Sequence, residues 1–367
     1  MSGFQILNSR NQYQRSDWLA LWNSWPDREV FAHPAYIDLF TRPCDTPLCA
    51  VMDTPEGKVL FPFVLRPLAA EPWVKLPCDC SDLTSPYGYG GAFTWGSPNP
   101  VEFWTAFDSW AASNHIVSCF VRLTVFPDSI IPFAGNVEDR APNVVRWLDL
   151  TPEFMWMDYE HKVRKNVKRS IQSGLRVEVD LEGKRLSDFL CVYRSTMDRR
   201  QAEGSYYFSR EFFEHIVNQL QGQFAFFHVI KENEVVSSEL VLVSTNNLYS
   251  FLGGTREEAF IFRPNDLLKH AVITWGIENH KKAYVLGGGY AGRDGIFRYK
   301  LSFAPKGEVP FRVGMKVYDL ECYNELCRQR TAWEQARGSI WVPKNDYFPQ
   351  YRAPHQASSM PESGNLG

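Results

Sequence analysis

The sequence predicts an α/β protein with mixed sheets, built from two similar units. The chain has 367 residues, which is enough for two domains at about 150 residues each. Helices, a β meander, one further helix and more strand follow one another up to residue 150, and the same order recurs after Thr151. Residue identities do not repeat, so the order of elements alone indicates a duplication. Helices interspersed with strands favour mixed sheets covered by helices over a sandwich or a bundle.

The first unit, residues 1–150, is predicted from its hydrophobic spacing and its turn residues. A long loop rich in Gly, Pro and aromatic residues covers 77–98. The other predicted elements are helices at 13–24, at 34–41 and from Asn99, with strands at 47–53, 58–66, 117–126 and 143–149.

The second unit, residues 151–304, is predicted in the same way, and 305–350 is expected to complete the first unit. Its predicted elements are helices at 155–173, 186–200, 209–220 and 264–280, with strands at 175–180, 223–231, 234–244, 246–252 and 283–286. Residues 353–367 lack periodicity and apolar mass, and we expect a disordered tail there.

The overall composition is that of an ordinary globular protein, with 44% hydrophobic and 22% charged residues. The formal net charge of −3 argues against wholesale wrapping of nucleic acid, although a local basic patch remains compatible with it. No N-terminal segment combines positive charge with a long apolar run, and no stretch approaches ~20 apolar residues. We therefore expect a cytoplasmic chain without a membrane span.

The eight cysteines are scattered, and without an export signal we expect free thiols. A four-thiolate zinc site at Cys44, Cys49, Cys78 and Cys80 is the alternative. Its spacings fit the usual C-x2–4-C pairs poorly, and no metal is predicted.

A basic amphipathic helix is the first candidate for chemistry. Trp156, Tyr159, Val163, Val167 and Ile171 form one predicted apolar stripe, and Gly174 is placed to end the helix. The cationic residues of this helix occupy the remaining faces; they are His161, Lys162, Arg164, Lys165, Lys168 and Arg169. A solvated helix face and an anion-binding surface for RNA or a phosphorylated substrate both remain open.

Glu239 is the second candidate, because it stands within the apolar strand EVVSSELVLVS. Alternation places it on one face with Val241 and Val243. A carboxylate there is costly unless it is paired or its pKa is raised, as a general base requires. An edge position, with Glu239 facing water, is the alternative.

The third candidate is the stretch YVLGGGYAGRDGIFRYKLSF, in which Gly287, Gly289 and Gly292 satisfy G-x-G-x-x-G. A dinucleotide-binding turn must lead into a helix. Here the glycines are followed by a turn and a run that we predict as β-prone, so we interpret them as turn residues. This loop delivers Lys300 into aromatic surroundings, where a lysine can stabilise negative charge.

The ordered set of motifs resembles the Fem family of non-ribosomal peptidyl and aminoacyl transferases, which are two fused GNAT-like (acyl-CoA N-acyltransferase) domains. The motifs are SPYGYGG at 85–91, VRKNVKRSIQSGLRVEV at 163–179, YRSTMDRRQAEGSYYFSREFF at 193–213, FRPNDLL at 262–268 and GGGYAGRDGIFRYKLSF at 287–303. The chain lacks the coiled-coil arm of some members and a clean [QR]-x-x-G-x-[GA] loop before Asn265.

The resemblance implies the roles of the site residues. The catalytic pair of the family falls on Tyr299 and Lys300, to which we add Glu239. The acceptor-binding residues implied are Arg199, Arg200, Tyr206 and Tyr249. The residues expected to hold the donor and its phosphates are Lys162, Arg164, Lys165, Arg263 and Asn265.

The function implied by the resemblance is an N-acyltransferase that moves an aminoacyl or acyl group onto an amine of a cell-envelope precursor. The acceptor is a peptidoglycan peptide or a surface-polysaccharide amino sugar. No tightly bound cofactor is expected, and the donor is an aminoacyl-tRNA or an acyl-CoA. An acyl-CoA-dependent N-acetyltransferase and a non-catalytic RNA- or glycan-binding protein are the alternatives. The sequence does not predict the oligomeric state.

Overall fold

The computed structural model describes residues 3–75, 78–201, 204–290, 292–339, 341–343 and 346–354. Apart from Ala353 and Pro354, the predicted disordered tail lies outside the described residues.

The first half of the chain contains helices α1 to α3 and strands β1 to β7. In order they are β1 Gly3–Asn8, α1 Gln12–Ser24, α2 Pro34–Asp38, β2 Thr46–Asp53, β3 Gly57–Pro67, β4 Ser81–Thr84, β5 Phe93–Gly96, α3 Pro100–Ser113, β6 Ile116–Arg122 and β7 Asn136–Trp147. Sequence reasoning missed β1, and it missed β4 and β5 because turn residues surround these short strands.

The second half contains helices α4 to α10 and strands β8 to β13. In order they are α4 Pro152–Asp158, α5 His161–Gln172, β8 Arg176–Asp180, α6 Leu186–Arg200, α7 Arg210–Gln219, β9 Phe224–Lys231, β10 Glu234–Val243, β11 Asn247–Thr255, α8 Pro264–Glu278, β12 Ala283–Gly287, α9 Gly295–Leu301, β13 Glu308–Val317 and α10 Leu320–Gln335.

Two predicted elements of the second half are wrong. The single helix over 155–173 is two helices, because Tyr159 and Glu160 are not helical and Tyr159 is buried. The predicted apolar stripe is therefore interrupted between α4 and α5, and Ile171 at its end is 56% exposed. The β-prone run after Gly295 is the short helix α9, whose first turn is capped by the side chain of Asp294 accepting from the backbone N–H of Phe297.

The described strands form one continuous mixed sheet in the order β1-β2-β3-β4-β6-β13-β7-β12-β11-β10-β9-β8, with β5 paired to β3. Strands β1 to β4 are antiparallel and β6 lies parallel to β4. The same pattern recurs in β8 to β11, which are antiparallel, with β12 parallel to β11. The predicted α/β class with two fused units of like topology is therefore confirmed.

Strands β7 and β13 join the two halves. β13 lies between β6 and β7 and is antiparallel to both, while the end of β7 from Val144 pairs with β12. Residues 308–317 thus complete the sheet of the first half. The domain boundaries at 150 and 304 stay a prediction.

The aromatic core is continuous between the halves on one face of the sheet. Trp18 and Phe31 of the first half belong to the same buried cluster as Phe189 and Tyr249 of the second half. Helices α6 and α7 cover this face, and α5 and α8 cover the other face of the second half. This shared core packs the second half of the chain against the first half.

A buried carboxylate also links the two halves. Glu29, which is 3% exposed, accepts hydrogen bonds from Asn247 Nδ2 at 2.6 Å and from the Tyr249 hydroxyl at 2.7 Å. Burial raises the pKa of Glu29, and the hydrogen bonds from Ser244, Tyr249 and Asn247 only partly offset it. A carboxyl group whose pKa is raised by folding stabilises the folded protein fully at pH values below its pKa in the unfolded chain. This contribution is lost as pH rises through its pKa in the folded protein.

We therefore expect Glu29→Gln to be at least as stable as the wild type at pH 7.5. The amide oxygen accepts from Asn247, the Tyr249 hydroxyl can turn to accept from the amide nitrogen, and no buried charge remains. Glu29→Ala should be less stable by about 1–3 kcal/mol, because two buried donors lose their acceptor. Urea unfolding of the three proteins at pH 5 and pH 7.5 measures this. Equal stability of the two variants would contradict this account of the contact.

Candidate active site

A cleft opens in the sheet where β11 and β12 diverge. They pair at Asn247 with Ala283, Leu248 with Tyr284 and Tyr249 with Val285, and not beyond. On its other edge β12 stays paired with β7 as far as Gly287 with Val144, and the following glycines turn the chain away. Residues 250–255 of β11 are therefore not paired with β12, and they border the opening between these two strands.

The glycines of the G-x-G-x-x-G stretch build this turn. Gly287 and Gly292 have φ values of +80° and +59°, which favour glycine. A Cβ on Gly289 would lie 2.4 Å from the carbonyl oxygen of Gly292. The interpretation as turn residues rather than a dinucleotide-binding turn is confirmed, although a seven-residue helix does follow.

Two cavities meet in the cleft, with volumes of about 750 and 650 Å³. The first lies between the N-termini of α5 and α8 and the helix α9, and the second lies between the end of α6, β11 and α9. The residues that line both cavities are Phe260, Asn265, Gly295 and Tyr299. A ligand in one cavity can therefore approach a ligand in the other beside Tyr299.

A buried ion pair forms the floor of the second cavity. Lys269 Nζ lies 2.6 Å from Glu239 Oε1, and the two side chains are 12% and 6% exposed. The same carboxylate oxygen accepts from the hydroxyls of Ser250 at 2.5 Å and Tyr284 at 2.7 Å. Lys269 also donates to both hydroxyls, at 2.9 Å each. Neighbouring charge and hydrogen bonds compensate the buried carboxylate, as its burial requires.

The edge alternative for Glu239 is wrong, since β10 pairs with β9 on one side and β11 on the other. Sequence reasoning missed Lys269, Ser250 and Tyr284. One signal was available for Lys269, which stands four residues after Asn265 and so shares its face of α8.

Lys300 projects from α9 beside this ion pair. Its Nζ donates to the carbonyl oxygen of Gly288 at 2.6 Å. The pKa of Lys300 is lowered to about 8, chiefly by burial and also by the charge of Lys269, while Glu239 and Asp294 oppose the shift. A desolvated lysine of this kind is common at functional sites. It places a cation at the cavity wall where negative charge can be stabilised.

Tyr299 lies at the junction of the cavities with its hydroxyl buried. Among the described residues, no hydrogen-bond partner serves this hydroxyl. Burial raises its pKa well above the usual value, and Asp266 and Glu239 add to the shift, so the phenol stays protonated. An unpartnered buried hydroxyl costs about 1–3 kcal/mol.

Two of the four residues predicted to bind the acceptor line the second cavity. Arg199 Nη1 donates to the Thr255 carbonyl oxygen at 2.9 Å, and its guanidinium lies 4.8 Å from the Phe260 ring centroid. Arg200 is exposed at the same end of the cavity. Two guanidinium groups there favour an acceptor with an anionic group.

Tyr206 and Tyr249, the other two, line neither cavity. Tyr249 is buried against Glu29, and Tyr206 is 40% exposed, with its carbonyl oxygen accepting from the Tyr193 hydroxyl. For Tyr249 the geometry indicates a structural contact between the two halves.

Three of the five residues predicted to bind the donor, Lys162, Arg263 and Asn265, line the first cavity. Arg298, which the sequence did not indicate, joins them. Lys162, Arg263 and Arg298 give this cavity three exposed cations. Arg164 and Lys165 do not line it, and Arg164 instead donates to the carbonyl oxygens of Met157 and Tyr159 at the end of α4.

The start of α8 differs from a glycine-rich phosphate loop. Arg263 adopts a left-handed conformation with φ 59°, and Pro264 after it has no N–H to offer. Asp266 in the first turn is buried, accepts from Asn166 Nδ2 at 3.1 Å, and has a pKa raised by burial. A helix N-terminus favours anions, but here a carboxyl group already occupies the first turn.

Within the described ranges, no group of three or more His, Cys, Asp and Glu side chains could hold a metal ion. Cys80 lies beside Cys322 of α10, with 3.6 Å between the sulfur atoms.

No helix in the described part of the chain is long and apolar enough to cross a bilayer.

Comparison with known proteins agrees with this geometry. Residues 159–301 match the model of the acetyltransferase (GNAT) domain, and they include all the residues lining the two cavities except Ser302. No curated protein matches the chain significantly.

Solved structures with the same fold include FemX, with a TM-score of 0.61 and 11% identity over 86% of this chain and 98% of FemX. The C-terminal domain of a putative lysylphosphatidylglycerol synthetase from Agrobacterium fabrum has a TM-score of 0.53 and 11% identity over 82% of this chain and 92% of that one. A conserved protein of unknown function from Bacteroides thetaiotaomicron has a TM-score of 0.54 and 9% identity, covering 86% and 100% of the two chains.

The predicted resemblance to the Fem-like tandem GNAT fold is thereby confirmed at the level of the fold. The predicted enzyme class is confirmed too, because the matched acetyltransferase domain is the part of the chain that carries the cavities. At these identities the solved structures establish no substrate.

The ion pair makes a direct prediction about stability. Lys269→Met should destabilise the protein by about 3–5 kcal/mol, because Glu239 is left buried without its counter-charge. Adding Glu239→Gln should recover most of that loss, since no unpaired charge then remains. Chemical unfolding of both single variants and the double variant measures the coupling. Strictly additive effects of the two changes would show that the pair does not act as a unit.

Proposed function

We propose that the protein is an N-acyltransferase whose donor enters the first cavity and whose amine acceptor enters the second. The observation that carries this proposal is the junction of the two cavities at Tyr299, beside Lys300 and the Lys269–Glu239 pair. Two ligands held there bring a carbonyl and an amine together, and positioning of that kind supplies much of the rate of a bimolecular transfer. We also propose that the protein acts in the cytoplasm.

The charges of the first cavity support a donor that carries phosphate. Lys162, Arg263 and Arg298 point to an aminoacyl-tRNA or an acyl-CoA. The buried Asp266 and the missing phosphate loop at α8 favour the aminoacyl-tRNA, because diphosphate bound in the usual way would meet a carboxyl group. The acyl-CoA remains the alternative donor.

The acceptor is proposed to be an amine on a cell-envelope precursor, either a peptidoglycan peptide or a surface-polysaccharide amino sugar. Support comes from Arg199 and Arg200, which suit the anionic groups that such precursors carry. FemX and the lysylphosphatidylglycerol synthetase domain share this fold, which is compatible with such an acceptor without identifying it.

In the transfer, the acceptor nitrogen attacks the donor carbonyl, and a C–N bond forms as the C–O or C–S bond to the donor breaks. Lys300 stabilises the negative charge on the carbonyl oxygen, and the Tyr299 ring positions the donor at the junction. Glu239 or a group of the acceptor takes the proton released by the amine. The leaving oxygen or sulfur is protonated, so an amide and a free hydroxyl or thiol result.

Replacement of Lys300 tests the site. Lys300→Ala should leave the fold intact and lower turnover at least tenfold, because one donor to a developing oxyanion contributes about 2.7–4 kcal/mol in other enzymes. Turnover of a soluble amine acceptor and the circular dichroism of the variant are the measurements. Unchanged turnover in a folded variant would remove Lys300 from the site and would favour a non-catalytic binding protein.

The pH dependence of turnover tests the charge of Lys300. With a pKa of about 8, the ammonium is lost as pH rises through 8, so turnover at saturating substrate should fall there. Lys300→Arg keeps its charge and should be slower at neutral pH but show no decline near pH 8. A wild-type rate that keeps rising through pH 9 would contradict a role for the cation.

Filter binding of bulk radiolabelled aminoacyl-tRNA, measured with and without excess acetyl-CoA, distinguishes an aminoacyl-tRNA donor from an acyl-CoA donor. We expect retention that acetyl-CoA does not compete, and weaker retention by Lys162→Gln, with Lys184→Gln as the charge-matched control on an exposed loop. No retention, together with saturable binding of CoA, would assign the protein to the acyl-CoA enzymes instead.

A further inference from the structure

We propose that the outer surface of α4 and α5 binds the surface of an anionic lipid bilayer. The apolar part of this surface is on α4, where Phe154 is 70% and Met157 is 67% exposed. These residues stand three apart and therefore share one face of the helix, while Met155 between them is buried at 2%. Two large apolar side chains thus project together from one short helix.

The charged part of the surface is on α5. Its twelve residues, HKVRKNVKRSIQ, include five Lys and Arg and no acidic residue. Among the salt bridges of the described residues none involves these five cations. Of the two acidic residues of α4, Asp158 is paired with Arg146, and Glu153 is exposed in the first turn of the helix. Like charges on one helix repel each other. An unpaired basic helix in a chain of net charge −3 therefore indicates an anionic partner outside the chain.

The two parts form one surface because α4 lies beside α5. Arg164 Nη1 of α5 donates to the carbonyl oxygen of Met157 at 2.9 Å. Lys168 Nζ lies 6.0 Å from the centre of the Trp156 ring of α4. Ile171, also on α5, adds a third exposed apolar side chain at 56%.

Among anionic partners, a bilayer matches both parts of the surface. Apolar side chains enter the boundary between headgroups and acyl chains, and cations attract the headgroup phosphates, the two contributions by which peripheral segments bind membranes. An RNA would engage the cations but would leave Met157 and Ile171 in water. The bilayer is therefore favoured, and this inference stands independently of the proposed transfer reaction.

Sedimentation of the full chain with vesicles tests this inference. The vesicles contain phosphatidylglycerol mixed with phosphatidylcholine, or phosphatidylcholine alone, at about 0.1 M salt. The variants are Phe154→Ser/Met157→Ser and Lys168→Gln/Arg169→Gln. The matched controls are Tyr13→Ser/Val101→Ser, exposed at 83% and 73%, and Lys184→Gln/Arg328→Gln, with side chains exposed at 72% and 69%. Circular dichroism checks that each variant is folded.

We expect binding to phosphatidylglycerol vesicles and not to phosphatidylcholine alone. Each α4 or α5 variant should lower the partition coefficient at least fivefold, about the effect of one cation near an anionic surface, and the controls should bind like the wild type. Absence of binding by the wild type would overturn the proposal. It would also be overturned if the α5 variant lost binding of bulk tRNA while the α4 variant sedimented unchanged, because the surface would then be specific for RNA.

Discussion

The buried pair of Glu239 and Lys269 is the contact on which the cleft depends. Its hydrogen bonds extend to Ser250 and Tyr284, so that β10, β11, β12 and α8 are all joined at one carboxylate oxygen. They meet where β11 and β12 separate, a point at which the sheet has lost its own hydrogen bonds. Charged hydrogen bonds inside the protein are strong when every partner is satisfied. The pair thus connects β11 and β12 beyond the point where their backbone pairing ends.

The polar side chains of the cleft differ in how completely they are hydrogen-bonded. Glu239 and Lys269 satisfy each other. Among the described residues, by contrast, the buried hydroxyl of Tyr299 has no partner and Lys300 Nζ donates to one acceptor, the carbonyl oxygen of Gly288. The charge of Lys269 also helps to lower the pKa of Lys300. The buried pair therefore sets the electrostatic environment, and the ammonium group of Lys300 lines the cavity where a ligand can reach it.

The sequence predicted most of the architecture, and its errors have local physical causes. Long periodic segments such as 186–200 were assigned correctly because their apolar spacing is strong. The helix α9 was taken as β-prone since aromatic residues favour strands, and the Asp294 cap and the packing of Phe297 overrode that propensity. Lys300 was found from its motif, but Lys269 was missed because its partner stands 30 residues away, on another element. Tyr249 was misplaced because no local pattern reveals the distant Glu29.

A crystal structure with a stable aminoacyl-nucleoside amide, which mimics the end of a charged tRNA but cannot transfer, tests the central claim most directly. The account predicts the nucleoside in the first cavity against Lys162, Arg263 and Arg298. It also predicts the amide oxygen within about 3 Å of Lys300 Nζ, a hydrogen-bond distance. An amide oxygen bound away from Tyr299 and Lys300, or a ligand outside both cavities, would contradict it.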